Sequence, residues 1–331
     1  MSEPIRLAVD AMSGDFGPRV AIPAAIEFAR TSPDAHLLLF GERTAMEREL
    51  HTSVPSNIDF IDTSAAVAMD ADPRQALRQG SDTSMWQTLL AVADKRADAC
   101  VSAGNTGALM LISRRLIGML AGVEVPAICK AMPVRSGVTL MLDLGANVHC
   151  SSAQLLQFAK MGGVLARASG VVAPKAALLN IGTEAGKGTA IIREAAKLLA
   201  QAEDFEYAGF VEADAIYSGH VHVIVCDGFS GNIALKASEG VARLIAGRIE
   251  ESFTSGFGRL AAPLMWPLIR RWRAELNPDA YNGAILAGLA GAVIKSHGGA
   301  STMATVHALH LAYEQARFKS TEKMARAMSA A

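Results

Sequence analysis

A glycine-rich loop with a single lysine is the segment of this chain best suited to chemistry. The loop runs from Asn180 to Thr189, between an apolar stretch at 176–179 and a helical pattern that starts near Ala190. A strand that leads through such a loop into a helix brings free backbone N–H groups and the positive end of the helix dipole together, which favours an anion. Lys187 adds a point charge suited to phosphate. The alternative for this loop is a tight turn with a solvated lysine.

The spacing within this loop differs from the P-loop of nucleotide-binding proteins. Three residues, rather than four, separate Gly182 from Gly186, and Gly188 follows the lysine where a P-loop has Ser or Thr. That hydroxyl is what holds the magnesium ion of a nucleoside triphosphate. The loop therefore predicts a site for free phosphate or a phosphate-bearing substrate, with contacts from Gly186, Lys187, Gly188 and Thr189.

Small polar residues also follow other predicted strands, and each such turn can contact a ligand. If the sheet is parallel, all of these turns meet at one edge, where ligands of open α/β sheets bind. Single turns of this composition are commonly plain turn chemistry, but a carboxamide, lysine or histidine in turn after turn is not needed for folding. The substrate contacts predicted from these turns are Asp10, Gly14, Asn105, Thr106, Asn147 and Gly231.

Two further residues have both a structural and a functional interpretation. Asn232 can contact a ligand, or it can be the N-cap of a helix predicted at 232–252. His297 can take part in catalysis, or it can be a satisfied histidine at the end of a strand. The aspartates at the strand ends (Asp10, Asp15, Asp143 and Asp227) lack the local spacing of metal ligands, so we predict that they orient lysines or cap helices and that no metal is bound.

Short apolar runs alternate with helical patterns along the whole chain. The strands are predicted at 5–9, 36–40, 57–61, 99–102, 138–142, 176–179, 205–211, 221–226 and 292–294. The helices are predicted at 19–30, 42–50, 81–95, 107–120, 152–168, 189–202, 232–252 and 303–318. This alternation is typical of an α/β fold with a doubly wound, largely parallel sheet. We expect one continuous domain over 1–331, although a boundary near 170–175 stays open.

Composition excludes several classes of protein. With 31 basic and 32 acidic residues among 331, the net charge of −1 gives no reason to expect a nucleic-acid partner. The four cysteines are widely spaced, which is typical of buried thiols in a reducing cytoplasm. Neither a signal-peptide pattern nor an uninterrupted apolar stretch of about 18 residues occurs. We therefore expect a cytoplasmic protein.

The turn motifs, in their order along the chain, resemble those of the bacterial phosphate acyltransferase family. The resemblance rests on 9–12, 101–109, 142–147, 180–189, 226–236, 281–283 and 294–298. It implies a Rossmann-like fold related to phosphotransacetylases and isocitrate dehydrogenases, a homodimer, and no cofactor. It further implies acyl transfer from acyl carrier protein to inorganic phosphate, giving acyl phosphate for phospholipid synthesis. Lys187 and Asn232 match the positions that the family uses in catalysis, and we expect His297 to assist them.

The chain departs from the family pattern at a few positions. Ser13 stands where the family usually has Gly, His149 where Asp is common, Ser230 in place of Val and Ile285 in place of Pro. Ser13 is expected to narrow the first turn, because its side chain replaces a hydrogen.

The segment at 257–276 is predicted to protrude as an amphipathic helix. Its apolar residues fall on one helical arc, beside three arginines. Such an arc packs in a core or dimer interface, or it contacts an anionic membrane or an acidic carrier protein. The predicted contact residues are Leu264, Leu268, Arg270, Arg271 and Trp272. Membrane contact implies peripheral association and transfer of the product to a membrane acyltransferase.

Other functions stay open at this point. A short-chain phosphotransacylase that uses coenzyme A is chemically close, and the 259–276 segment argues only weakly against it. A dehydrogenase of related fold needs a dinucleotide site, yet no G-x-G-x-x-G pattern occurs. A scaffold that binds phosphorylated ligands needs the anion loop but has no turnover.

Overall fold

The structure is a computed structural model that describes residues 3–134, 137–254 and 278–329. Its strands are β1 Ile5–Asp10, β2 Ala35–Gly41, β3 Ile58–Asp62, β4 Ala99–Ser102, β5 Ala127–Pro133, β6 Val138–Leu142, β7 Lys175–Leu179, β8 Glu206–Val211, β9 Val223–Val225, β10 Ala284–Ala287 and β11 Ala292–Lys295. Its α-helices are α1 Pro18–Thr31, α2 Arg43–Arg48, α3 Pro73–Gln79, α4 Ser84–Ala93, α5 Thr106–Leu116, α6 Ser152–Ala168, α7 Ala190–Ala200, α8 Gly228–Thr254, α9 Thr302–Phe318 and α10 Ser320–Ser329.

The strands form one mixed sheet in the order β3-β2-β1-β4-β11-β10-β5-β6-β9-β7-β8. Most neighbouring strands are parallel, and antiparallel pairing occurs only at β11–β10, β10–β5 and β5–β6 within the described residues. The predicted fold class, a doubly wound and largely parallel α/β sheet, is confirmed. All strands predicted from apolar runs are present, whereas β5 and β10 were not predicted.

The direction of the strands changes in the middle of the sheet. β10 runs antiparallel to β11, and the β5–β6 hairpin reverses the chain again, so β6, β7, β8 and β9 run opposite to β1, β2, β3, β4 and β11. The turns after β1, β4 and β11 therefore leave one edge, and the turns after β6, β7 and β9 leave the other. The expectation that all polar turns meet at one edge is wrong, because it assumed a parallel sheet throughout.

Helices cover both faces of the sheet, which is why successive strand residues are buried on opposite sides. Leu7 and Val9 belong to the apolar core beneath α1, α6, α7, α9 and α10, whereas Ala8 belongs to the core on the opposite face. On that second face lie α3, α4, α5 and the part of α8 that includes Ala234 and Leu235. Each core is continuous across the sheet, so the arrangement is a three-layer sandwich.

Helix α8 begins earlier than predicted, at Gly228 rather than near residue 232. The Asp227 carboxylate accepts a hydrogen bond from the Ser230 N–H at 2.7 Å, so Asp227 satisfies a donor of the first turn. Asn232 therefore lies inside the helix, and its interpretation as the N-cap is wrong.

The segment predicted to protrude at 257–276 lies outside the described residues, and so do Leu264, Leu268, Arg270, Arg271 and Trp272. Among the helices of the described ranges, none combines the length and the apolar content needed to cross a bilayer.

Candidate active site

A row of side chains across the sheet forms the floor of the candidate site. Lys295 pairs with Ser102 on one side and with Ala284 on the other, and Ala284 also pairs with Lys130. Residues that are paired across neighbouring strands point to the same face. Lys130 and Lys295 therefore flank the small side chain of Ala284, on the face that α8 partly covers.

Helix α8 adds a second set of polar groups above this floor. Asn232, Lys236 and Glu239 are spaced four and three residues apart, so they lie along one side of the helix. Lys236 Nζ is 2.9 Å from Glu239 Oε2, and Lys130 Nζ is 3.7 Å from Glu239 Oε1. Asn232 thereby lies one helical turn before Lys236.

His297 follows β11 and faces the same groups. Its backbone N–H donates to Asn282 Oδ1 at 3.0 Å, and its ring Nδ1 accepts from the Gly299 N–H at 3.1 Å. Partial burial lowers the His297 pKa, and the positive charges of Lys236, Lys295 and Lys130 lower it further, although Glu239 opposes them. A neutral ring whose Nδ1 accepts a hydrogen bond carries its proton on Nε2. His297 therefore presents an N–H donor.

Asp10 holds together the loops beside this cleft. Its carboxylate accepts from the hydroxyls of Ser84 at 2.6 Å and Ser102 at 2.7 Å. Burial raises the Asp10 pKa, while the hydrogen bonds from Ser84, Ser102 and Ser13 oppose the shift. Asp10, predicted as a substrate contact, thus supports the loops from within the protein.

The loop after β1 is fixed against the loops after β4 and β11. Ser13 Oγ accepts from the Ala103 N–H at 2.9 Å, and the Asp15 N–H donates to the Gly298 carbonyl at 2.9 Å. Gly14 has φ +87°, and a Cβ there would lie 2.9 Å from the Gly298 carbonyl oxygen. Only glycine fits this contact without strain. Ser13, one of the positions that depart from the family pattern, joins the loop after β1 to the loop after β4.

A second buried carboxylate organises the opposite edge. Asp143 accepts from the backbone N–H groups of Ile128, Gly145, Ala146 and Asn147 at 2.7–3.2 Å, and from Asn147 Nδ2 at 2.9 Å. Asn147 Nδ2 also donates to the Pro126 carbonyl at 2.7 Å. The amide hydrogens of Asn147 are therefore used within the protein.

Helix α8 packs its first turns directly on this cluster. A Cβ at Gly231 would overlap the Asp143 carbonyl oxygen, and the Asn232 side chain lies over Gly145. Gly231 thus permits close approach of the helix, whereas Asn232 is exposed and makes no side-chain hydrogen bond in the described part of the chain. Within the same ranges, no group of three or more His, Cys, Asp or Glu side chains is arranged to hold a metal ion.

Asn105 and Thr106 lie at the start of α5. Asn105 is the N-cap, since its Oδ1 accepts from the Ala108 N–H at 2.9 Å. Its Nδ2 donates to the carbonyls of Met69 at 2.8 Å and Ala71 at 3.2 Å. Asn105 fixes a neighbouring loop, while Thr106 is exposed.

The lysine loop lies at the edge where α8 begins, because β7 is next to β9 in the sheet. Thr189 is the N-cap of α7, accepting from the Ile192 N–H at 3.3 Å, and Arg193 donates to the Gly188 carbonyl at 2.6 Å. Gly186 and Lys187 are exposed. Within the described ranges, no hydrogen bond or ion pair joins the Lys187 side chain to Asn232 or His297.

The sequence did not single out Lys130, Lys236 and Lys295 as site residues. A signal existed, because a lysine stands in β5 and another ends the short buried strand β11, where an apolar residue is usual. The proximity of Lys130 and Lys295 depends on β10, which pairs with both of their strands.

Comparison with known proteins identifies the family. The family model described as fatty acid synthesis protein matches residues 5–323. A phosphate acyltransferase of Cellvibrio japonicus is 51% identical over 317 residues, covering 95% of each chain, and one of Teredinibacter turnerae is 44% identical over 330 residues, covering 99% of this chain and 100% of the relative.

Solved structures resemble the fold at low sequence identity. A phosphotransacetylase of Streptococcus pyogenes aligns with TM-score 0.65 and 17% identity, covering 96% of this chain and 95% of its own. The EutD phosphotransacetylase of Staphylococcus aureus aligns with TM-score 0.61 and 19% identity, covering 98% and 94%. At 17–19% identity, these two structures show a shared fold only. The family is shown by the family model and by the relatives at 44–51% identity. The chain therefore belongs to the phosphate acyltransferase family.

Proposed function

We propose that this acyltransferase moves a fatty acyl group from acyl carrier protein to inorganic phosphate. The product, acyl phosphate, then serves phospholipid (phosphatidic acid) synthesis. The observation that carries the proposal is the similarity, over nearly the whole chain, to relatives named phosphate acyltransferase.

The reaction requires positioning and compensation of charge more than a protein nucleophile. A phosphate oxygen attacks the thioester carbonyl, the C–O bond forms, and the C–S bond breaks as the thiolate leaves and takes up a proton. Burial raises the pKa of the described cysteines, to about 12 for Cys129 and about 11 for Cys150. Thiols of this kind stay protonated at neutral pH and are poor nucleophiles. Direct attack by phosphate fits these residues.

Three side chains have roles in this proposal. Lys187 and the N–H groups of its loop offset the charge of phosphate. The exposed carboxamide of Asn232 donates to the oxyanion that develops on the thioester carbonyl. The Nε2–H of His297 donates to phosphate or to the leaving sulfur. Asp10, Gly14, Asn105, Asn147 and Gly231 hold the loops that present these groups.

A short-chain phosphotransacylase that uses coenzyme A is the second candidate, because the fold resembles phosphotransacetylases. The purified protein should be assayed with phosphate and either acyl carrier protein thioesters or acyl coenzyme A, and acyl phosphate should be measured. Preference for the carrier thioester supports the first function. Preference for short acyl coenzyme A supports the second, and binding without turnover indicates a scaffold.

The same assay tests the role of Lys187. Lys187→Ala should reduce acyl phosphate formation by on the order of 10²-fold or more, because a charge-compensating donor is lost. Its melting temperature should be unchanged, since this exposed side chain packs against little. Lys197→Ala is a matched control, because Lys197 is also exposed and, among the residues that the structure describes, forms an ion pair with Glu194 alone. Near-normal turnover of a folded Lys187→Ala protein contradicts the role.

Two assemblies belong to the same proposal. Helix α8 exposes Val241, Leu244 and Ile245, which are 56%, 63% and 48% accessible and lie on one side of the helix. A contiguous exposed apolar surface of this kind supports a homodimer.

For the 259–276 segment, the apolar arc and its arginines support reversible docking on an anionic membrane, close to a membrane acyltransferase.

A further inference from the structure

Three lysines and one carboxylate lie in the cleft between α8 and the sheet, and two of the lysines contact the carboxylate. Lys236 and Lys130 both approach Glu239, at 2.9 Å and 3.7 Å, and Lys295 lies in the same row as Lys130 with Ala284 between them. All three lysines act on the His297 ring and lower its pKa. The positive charge in the cleft therefore exceeds the negative charge in direct contact with it.

Lys295 contributes most to this imbalance. Its Nζ donates to the carbonyl oxygens of Ala103 at 3.2 Å and of Ser296, and no carboxylate of the described residues lies within ion-pair distance. Asp10 and Asp15 act on it only from farther away, and the Asp10 oxygens already accept from two serines. Burying a charge without a direct counter-ion costs free energy, and such groups concentrate at functional sites.

The available donors fit a phosphate group. An ammonium group has three N–H donors, so Lys295 has one left after its two carbonyl contacts. The Nε2–H of His297 is a further donor in the same cleft. Lysines act as point charges that suit a tetrahedral phosphate, whereas planar carboxylates favour the fork of an arginine.

We propose that Lys130, Lys236 and Lys295, together with His297 Nε2–H, bind a phosphate group in this cleft. Lys295 ends β11 at the edge of the sheet opposite the Lys187 loop, and the site rests on the proposed function, which brings two phosphate groups to the enzyme. One is inorganic phosphate, and the other is the phosphodiester through which a carrier protein holds its thioester arm. Both sources share the chemistry that the lysines recognise.

The test uses the full-length protein and two measurements. Calorimetric titration with sodium phosphate gives the affinity for inorganic phosphate without turnover. Acyl phosphate formation is then followed with the acyl carrier thioester and with the acyl thioester of N-acetylcysteamine, which has no phosphodiester. The variants are Lys295→Met and Lys130→Met, which keep the length of the side chain and remove its charge, and Lys197→Met is the control. Lys236→Gln, at an exposed lysine, repeats the test if the variants at the partly buried Lys130 and Lys295 fail to fold.

Two results support the site and identify its ligand. A tenfold or larger loss of phosphate affinity, or a tenfold or larger rise in the KM for phosphate, assigns the site to inorganic phosphate. A tenfold or larger rise in KM for the carrier thioester, with the N-acetylcysteamine thioester unaffected, assigns it to the phosphodiester. Folded variants that change neither quantity relative to Lys197→Met overturn the proposal.

The two proposals fail in different ways. If the wild-type protein forms no acyl phosphate from any thioester, the proposed function fails, and calorimetry alone still decides the site. Loss of phosphate binding in the variants then supports it, and unchanged or absent phosphate binding overturns it.

Discussion

At the scale of single residues, the charge state of Lys295 should make substrate binding depend on pH. Burial lowers the Lys295 pKa from 10.5 to about 8, while Asp10 and Asp15 oppose the shift. A lysine is charged below its pKa, so Lys295 attracts a phosphate group at pH 7 and loses this attraction as the pH rises through about 8. The kcat/KM for the ligand of this site should therefore decline above that pH, approaching about tenfold per pH unit.

The Lys295→Met variant tests whether Lys295, rather than another titrating group, causes this decline in kcat/KM. Its kcat/KM should be lower at pH 7, and the decline above about pH 8 should be lost, because the titrating amine has been removed. Profiles from pH 6.5 to 9.5 provide the measurement. An unchanged profile in the variant means that another group is responsible for the decline.

A substitution at Asn232 can test catalysis separately from helix capping, because Asp227 and not Asn232 caps α8. Asp227 satisfies the first turn, so Asn232→Asp removes no cap and adds an acidic residue near the helix N-terminus, where it is tolerated or mildly stabilising. The added negative charge should instead repel phosphate and the developing oxyanion. We expect an unchanged or slightly higher melting temperature and a loss of activity on the order of 10²-fold.

Thermal unfolding and turnover measured on one preparation test this prediction. A variant with a lower melting temperature and normal activity per folded molecule shows that Asn232 is structural. Asn232→Ala is the companion variant, since it removes the carboxamide without adding charge.

At the scale of secondary-structure elements, Asp143 joins β5, the turn after β6 and the start of α8. Asp143→Ala leaves four backbone donors without this acceptor, one of them buried and three partly buried, and a buried unsatisfied donor costs about 1–3 kcal/mol. We expect the free energy of unfolding to fall by about 3 kcal/mol or more. Equilibrium denaturation in guanidinium chloride measures this change.

Asp59→Ala is the control for Asp143→Ala. Asp59 also has a hydrogen-bonded partner, His36 at 2.8 Å, but its carboxylate is exposed. Exposed pairs of this kind contribute about 0–1 kcal/mol. If the two variants lose equal stability, Asp143 does not hold these elements together.

At the scale of the whole molecule, two apolar surfaces are proposed for two different contacts. Replacing Leu244 and Ile245 with Ser should give monomers, because each buried aliphatic side chain contributes about 1.5–3 kcal/mol to an interface. Replacing Leu264, Leu268 and Trp272 with Ser or Gln should leave the dimer intact and abolish sedimentation with anionic vesicles. Binding of the wild-type protein to these vesicles should weaken with added salt, because the arginines contribute electrostatic attraction.

Light scattering after gel filtration and vesicle sedimentation distinguish these contacts. A triple variant that becomes monomeric or aggregates assigns the 259–276 segment to an interface or core, and the membrane proposal must then be withdrawn. A Leu244/Ile245 variant that stays dimeric shows that this side of α8 is not the subunit interface.

The sequence by itself determined the positions of most elements and the family. Apolar periodicity gave every predicted strand and helix, because burial on one or both faces leaves a local pattern. It missed β5, in which Lys130 interrupts the apolar run, and β10, which shares the apolar stretch 284–294 with β11. It also missed the helices α3 and α10. The turn motifs around Lys187, Asn232 and His297 were visible because their residues are adjacent in the chain.

Only the tertiary structure decided the direction of the strands and therefore which turns share an edge. Direction depends on which strands pair, and β10 and β5 reverse it through contacts between residues distant in sequence. The same pairing brings Lys130 beside Lys295 across Ala284, and α8 brings Lys236 to the same cleft, where Lys236 and Lys130 both contact Glu239. The tertiary structure also showed Asp10 and Asp143 to be internal supports, because hydrogen-bond partners from several elements meet only when the chain is folded.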